Sequence, residues 1–347
     1  MGTTDDWLAK TPEETLDPDL PICDAHHHLW DHGFGPAAKF RSEQIEPRYL
    51  LDQLLSDTGS GHNVVSTVFV ECASMYRADG PPELRPVGET EFVNGIAAMS
   101  ASGQYGKTRV AAGIVGLADL NLGDAVRPVL EAHIAAGGGR FRGIRHAVAW
   151  DASDEIRNSH TRPFEGMLLD ATFRAGFAEL APLGLSFEGW CYHPQIPDLT
   201  DLAHAFPGTT IILNHFGGLL GIGPYQGKQS QYLEQWKRDI SELSQCPNVY
   251  AKLGGINMRI NGYEWDKQSR PPSSQELAAA TKVYYEHCIE QFGAKRCMFE
   301  SNFPVDKVSV SYNVLWNTFK RIAAGCSVEE KAHLLHDTAA RVYRLGK

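Results

Sequence analysis

Asp24-Ala25-His26-His27-His28-Leu29-Trp30 closes an apolar run that begins at Ile22, and the reading of this stretch decides the fold. An open doubly wound sheet usually follows its first strand with a glycine-rich phosphate turn. Here the strand ends in three consecutive histidines, so that layout is disfavoured. Side chains alternate along a strand, which sets His26 and His28 on one face and His27 on the other, with Asp24 on the His26 side one layer deeper. Two imidazoles about 7 Å apart on one face can chelate a metal ion. An isolated His-x-His is more often a pair of exposed or hydrogen-bonded histidines, so the rest of the chain has to decide.

Outward from this stretch, apolar runs of strand length recur at 22–28, 64–72, 110–118, 141–148, 185–192, 209–215, 248–254 and 296–302. Segments with helical spacing separate them, including 165–183, 232–243 and 276–292, and further helical patterns follow at 310–323 and 328–343. Several strands are apolar on both faces, as buried parallel strands are. Strand–helix alternation without a break in composition predicts a single (β/α)8 TIM barrel over 21–347, preceded by an extension at 1–20. Four long connections, 29–46, 73–88, 216–231 and 256–273, follow strands and therefore belong to the C-terminal face, where barrel active sites lie. They carry aromatic and basic residues such as Phe34, Lys39, Arg41, Tyr225, Arg259, Tyr263, Trp265 and Arg270, suited to lids or pocket walls.

Composition narrows the function classes. The chain has 347 residues, 43% hydrophobic, which is too apolar for a disordered protein. With 32 basic and 42 acidic residues its formal charge is −10, which disfavours nucleic acid and anionic membrane as partners. No apolar run reaches the roughly 20 residues that span a bilayer. The start, MGTTDDWLAK, has acids where a secretion signal has bases, and Asp6 breaks the myristoylation pattern. Seven cysteines without a C-x-x-C pair read as reduced packing residues. These features predict a cytoplasmic location.

Two more histidines shift the balance at the first strand. His193 ends the fifth predicted strand and His215 the sixth, in Leu213-Asn214-His215-Phe216-Gly217-Gly218. Histidines at the ends of strands one, five and six converge in a barrel. With the blocks Phe141-Arg142-Gly143-Ile144-Arg145-His146 and Thr338-Ala339-Ala340-Arg341-Val342-Tyr343, the sequence resembles the amidohydrolase superfamily over essentially its whole length. Within it the chain is similar to the 2-pyrone-4,6-dicarboxylate lactonase and sugar-acid lactonase group of metal-dependent hydrolases. The resemblance implies a metal-hydrolase barrel with His26, His28 and His193 as metal ligands and His193 and His215 as ligands or carbonyl-polarising groups. It also implies Arg145 as a carboxylate-binding residue, a role that suits the guanidinium fork. Glu71, Lys252, Arg259 and Tyr263 are further candidates for substrate contact.

The eighth strand departs from the group's usual Ser-Asp-Trp-Pro, whose aspartate is ligand and base. Here Glu300-Ser301-Asn302-Phe303-Pro304 puts an amide, Asn302, at that position, and an amide is a weak ligand and no base near neutral pH. Three readings stand. Glu300, on the same strand face as Asn302, delivers the carboxylate from one layer down; Asp306 reaches back from the following loop; or the reaction proceeds without metal, the histidines and arginine polarising a carbonyl. If a metal binds, imidazole with one carboxylate favours zinc, with manganese second. The expected activity is opening of a lactone or related cyclic ester of a small carboxylated compound. The alternative is lyase chemistry on the same scaffold, a non-oxidative decarboxylase or hydratase. The expected partner is a small acidic substrate, and the barrel type suggests a homodimer through outer helices.

Overall fold

The computed structural model describes residues 4–32 and 46–346. Phe34, Lys39 and Arg41, expected on a lid, lie outside the described residues. The eight expected strands are all present: β1 (Pro21–His27), β2 (Asn63–Val70), β3 (Arg109–Gly116), β4 (Phe141–Ile144), β5 (Ser186–Gly189), β6 (Ile211–Leu213), β7 (Val249–Leu253) and β8 (Cys297–Phe299). They form one sheet in sequence order, with every neighbour parallel. The ring is nearly closed by a parallel bridge between His27 and Phe303 and by Asn302 N donating to His26 O at 2.9 Å. A helix follows each strand: α1 (Leu51–Thr58), α2 (Val87–Ala101), α3 (Arg127–Ala136), α4 (Ala171–Ala178), α5 (Ile196–Ala205), α6 (Gln229–Leu243), α7 (Ser274–Phe292) and α8 (Tyr312–Ile322). This is a (β/α)8 TIM barrel.

The two sides of each strand serve different layers. Ile22, Phe69, Ile114, Phe187, Leu213, Leu253 and Phe299 pack outward against the helices in the larger core. Cys23, Ala25, Val68, Val70, Val115, Ile212 and Met298 fill the ring itself. Tyr343, after the last helical turn Thr338–Val342, joins that inner cluster fully buried, so the chain's own C-terminal segment plugs the bottom of the barrel. All seven cysteines are free, and five are buried.

Most of the expected strands overran their ladders at the C-terminal end. The pattern 141–148 yields β4 only to Ile144, and 185–192 yields β5 only to Gly189. There the backbone leaves the sheet to aim side chains into the mouth. The helical pattern 165–183 is likewise cut to α4, because the Asp170 side chain caps it by accepting from Thr172 N and Phe173 N. Both overruns concealed the longest strand-to-helix connection, residues 145–170. The pattern 328–343 divides into Val328–Ala332, a π-helical turn His333–Asp337, and Thr338–Val342. Ahead of β1, the segment from Thr4 crosses the barrel: Trp7 Nε1 donates to Gln268 O at 3.0 Å, and Lys320 Nζ on α8 donates to Leu16 O at 2.7 Å. No helix among the described residues is long and apolar enough to cross a membrane.

Candidate active site

The β1 histidines reach the mouth by way of a bulge. Between Asp24 and His27 the strand advances three residues while β2 advances two, Thr67 to Phe69. The extra residue switches the alternation. Asp24 therefore does not lie beneath His26, as simple alternation predicts. Its oxygens accept from Ser301 N at 2.8 Å, Ser301 Oγ at 2.6 Å and Tyr312 OH on α8 at 2.9 Å. His27 also faces away from the mouth, its Nε2 against Thr67 Oγ1 at 2.8 Å. His26 and His28 turn inward together, their rings 4.9 Å apart.

Glu300 stands between two strand ends. Its Oε1 lies 2.6 Å from His215 Nδ1 and its Oε2 2.7 Å from His26 Nδ1. His215 would face outward by alternation, since Asn214 before it points in to Glu188 at 2.5 Å. A left-handed turn, with φ of 52° at His215 and 58° at Phe216, swings the imidazole into the ring. For non-glycine residues that backbone costs of order 1–2 kcal/mol each, strain held by the surrounding packing. Gly254 and Gly255 supply the room: a Cβ on Gly255 would stand 2.1 Å from His215 Nδ1, and one on Gly254 2.5 Å from Glu300 Cγ.

Around this triad the charges are paired and buried. Lys252 Nζ lies 2.9 Å from Glu188 Oε2 and 3.5 Å from His26 Nδ1, and Tyr343 OH donates to Glu188 from below. Arg145 donates Nε to Glu71 Oε1 at 2.8 Å and Nη2 to the Glu71 carbonyl, with Nη1 3.3 Å from His26 Nε2. Among the fully or nearly fully buried groups, three carboxylates (Glu71, Glu188, Glu300) face two cations (Arg145, Lys252), an excess negative charge that only the more exposed His160, at the far side of Glu71, could offset. A buried charge without a partner is costly, and the protonation equilibria reflect this. Burial pushes the Glu300 carboxyl up to about 8 against the pull of Lys252. Burial first, then Lys252, holds His26 well below the usual imidazole range, and burial and Arg145 do the same for His215. Glu71 is the opposite case: burial raises it, but Arg145 and then His160 outweigh burial and hold it at about 2.

His26, His215 and Glu300 offer three donor atoms within 4.8 Å of one another, a candidate metal site. The residues fit a divalent cation on two grounds. The donors are of the imidazole–carboxylate kind that binds zinc or manganese. Glu300 Oε2, though close to His26, accepts no hydrogen bond, so a lone pair stands unused beside the excess charge.

The remaining expected site residues divide. His28 sits beside the triad rather than in it, with Nδ1 2.8 Å from Val70 O and Nε2 3.3 Å from Asn302 Oδ1. Asn302 donates Nδ2 to Asp306 Oδ1 at 2.9 Å, so Asp306 reaches back only as far as the amide; burial lifts its carboxyl to about 7. His193 is not brought into the group. The chain turns at Tyr192 into a 3-10 turn, and His193 Nδ1 accepts from Leu220 N at 3.3 Å with its ring 4.4 Å from Tyr232. Arg259 pairs with Asp266 at 2.9 Å and Arg270 with Glu276 at 2.8 Å, both exposed, so neither aims a charge at the mouth. Tyr263 stacks on Trp265. A pocket of about 250 Å³, with Glu71, Arg145, His160, Trp190, Tyr192 and Met258 in its lining, adjoins the buried triad through Arg145 and Trp190. Trp190 meets the His215 ring edge-on at 4.9 Å. Of these, His160, Trp190 and Glu188 escaped the sequence reading. Glu188 alone carried a signal, an acid inside an apolar strand, which has to be paired.

Residues 23–345 match the amidohydrolase family. The chain belongs to that family. An uncharacterised Sinorhizobium fredii protein, y4mH, is 34% identical over 337 residues, 94% of this chain and 99% of that protein. The L-fucono-1,5-lactonase of Burkholderia multivorans is 26% identical over 262 residues, 74% of this chain and 77% of that enzyme. Among solved structures, an amidohydrolase from Burkholderia multivorans with bound zinc superposes with a TM-score of 0.70 at 23% identity, covering 94% of this chain and 99% of that one. The barrel described above is thus an amidohydrolase barrel, and the chain a hydrolase-type enzyme of lactonase-like kin.

Proposed function

We propose that the chain hydrolyses the lactone of a small sugar acid or related carboxylated compound. The observation that carries this reading is Glu300 joined to His26 and His215, one residue behind a pocket whose volume suits one small ring, with Arg145 and Trp190 touching both. Trp190, Tyr192 and Met258 hold the lactone and keep bulk water from the carbonyl. Arg145, fixed by Glu71, presents its remaining N–H groups to the carbonyl oxygen as negative charge builds there. Glu300 in its ionised form, which burial disfavours below about pH 8, takes the proton of the attacking water as the new C–O bond forms. The ring C–O bond then breaks, and the proton returns from the Glu300–His215 pair to the leaving oxygen. A divalent metal, zinc first by ligand chemistry, held by His26, His215 and Glu300, would supply Lewis-acid polarisation and a more acidic water.

The reading is tested with zinc-loaded and chelator-treated enzyme on a panel of aldonolactones, following acid release with a pH indicator. Turnover of at least one lactone, reduced about 100-fold or more in Glu300→Gln, is the expected result. Wild-type turnover in that variant removes Glu300 from the chemistry. Release of CO2 in place of acid moves the reaction to the lyase class.

A further inference from the structure

The pocket wall formed by residues 145–170 carries a cation that the proposed reaction does not use. His160 lines the pocket, its side chain 36% exposed, with Nε2 3.4 Å from Oε2 of the buried Glu71. Glu71 thus faces two basic groups, hydrogen-bonded to Arg145 through Oε1 and in looser ion-pair contact with His160 through Oε2, which accepts no hydrogen bond. The two are not equivalent. Arg145 is buried, and three of its five N–H groups are directed at the Glu71 side chain, the Glu71 carbonyl and His26. His160 is the member of this group that meets solvent at the mouth.

The wall is built to hold it there. Ser159 N donates to Ala149 O at 3.0 Å, and Thr161 Oγ1 donates to Ala147 O. Tyr192 OH ties down the Arg157 carbonyl, and Tyr225 OH fixes Asp151 at 2.7 Å. A binding group fixed before the ligand arrives costs less ordering on association.

We propose that His160 reads a carboxylate on the substrate, so that the enzyme takes lactones bearing a free acid group in preference to neutral ones. This rests on the lactonase reading and names its substrate class. Glu71 neutralises one of the two basic groups it faces, which leaves the positive charge of a protonated His160 facing a pocket of about 250 Å³. The groups facing His160 are Glu71 from the end of β2, Glu89 from α2, Arg145 and His146 from the start of the wall, and Arg157 on the wall itself. Burial alone would lower His160, but Glu71 outweighs it and holds the imidazole above its ordinary value. Glu89 adds little negative charge near neutral pH, because burial and then Glu71 push its carboxyl up to about 8. Burial keeps His146 neutral, at about 4. The preference therefore holds from the substrate carboxyl's own pKa, about 4, upward and fades as pH rises through the His160 pKa.

Two measurements on the full chain decide it. In the first, glutarate is the probe: it should move the His160 imidazole resonances and raise their titration midpoint in NMR. Its affinity should fall about tenfold or more in His160→Gln, the loss of one charge-assisted hydrogen bond, and recover in His160→Lys. In the second, kcat/KM is compared for a carboxylated δ-lactone and its own methyl ester. The acid-to-ester ratio should drop by a similar factor in His160→Gln, and in His160→Lys it should persist without the wild-type pH dependence. Undiminished glutarate affinity in His160→Gln, or an unchanged ratio, overturns the proposal. If no lactone is turned over the hydrolase reading fails, and the glutarate titration still decides the role of His160.

Discussion

Replacing Glu300 by Gln in the metal-free protein should flatten the dependence of stability on pH. Glu300 is fully buried, and its carboxyl is pushed from an ordinary 4.5 to about 8, by burial first. Below pH 4.5 the folded and unfolded chains both hold this proton, and the group contributes nothing. Between 4.5 and 8 the folded chain keeps a proton that the unfolded chain has released, so stability falls as pH rises. Above 8 the loss is complete and amounts to about 5 kcal/mol, at about 1.4 kcal/mol per pH unit across the window. That is comparable with the whole stability of many domains. Asp24 at about 6, Asp306 at about 7 and Glu89 at about 8 add slopes of the same sign, so the wild type alone does not isolate Glu300. The difference between wild type and Glu300→Gln does, because the other groups cancel and the variant's lost contacts enter as a constant offset. Urea unfolding from pH 5 to 9 in chelator should show the variant gaining on the wild type by several kcal/mol. Zinc, which needs the carboxylate ionised, should remove the Glu300 share of the wild-type slope and bring the two profiles parallel. Parallel pH profiles for the two proteins would mean that Glu300 is already ionised in the folded state, and the argument from excess buried charge would fail.

Gly255→Ala should weaken zinc binding at least tenfold, because the new Cβ would stand 2.1 Å from His215 Nδ1 at a backbone φ of +66°. Competition with a chromophoric chelator measures this, and wild-type affinity would exclude His215 as a ligand. Asn302→Asp places a carboxylate 3.3 Å from His28 Nε2 and should tighten zinc binding by about tenfold or more in the same assay. An unchanged affinity would put position 302 outside the coordination sphere.

What the sequence conveyed, and what it hid, follows from how local each signal is. The barrel was legible because buried parallel strands and amphipathic helices leave patterns many residues long. The inward pair His26 and His28 was legible from alternation, but the bulge that turns Asp24 away depends on register with β2, which no single strand records. Glu300 could be placed from its spacing to Asn302, since Met298, Glu300 and Asn302 share a face. His193 and His215 look alike in sequence, each a histidine at the end of an apolar run. The left-handed turn at His215 and the Leu220 N bond to His193 separate them, and both are tertiary facts. His160 lay in a stretch whose flanking patterns overran from both sides, so the connection that carries it was too short on paper.

Asn302 at the mouth end of β8, where the resembled lactonase group carries an aspartate, gives the site no charged oxygen ligand of its own. The charged oxygen comes instead from a linked set of residues. A glutamate two residues earlier starts one layer deeper, and its longer side chain must rise between His26 and His215 through space that an ordinary β7 would fill. That space exists because Gly254 and Gly255, directly after β7, have no Cβ; one would stand 2.5 Å from Glu300 Cγ and 2.1 Å from His215 Nδ1 respectively. Asn302, freed from charge duty, keeps a structural one: its φ of 54° turns the chain out of β8, and its amide ties Asp306 to the mouth. Glu300 and the Gly254–Gly255 pair are therefore one device on two neighbouring strands. A relative with glutamate and asparagine at these β8 positions but a side chain at either glycine should fail to bring its carboxylate to both histidines, whatever its loops.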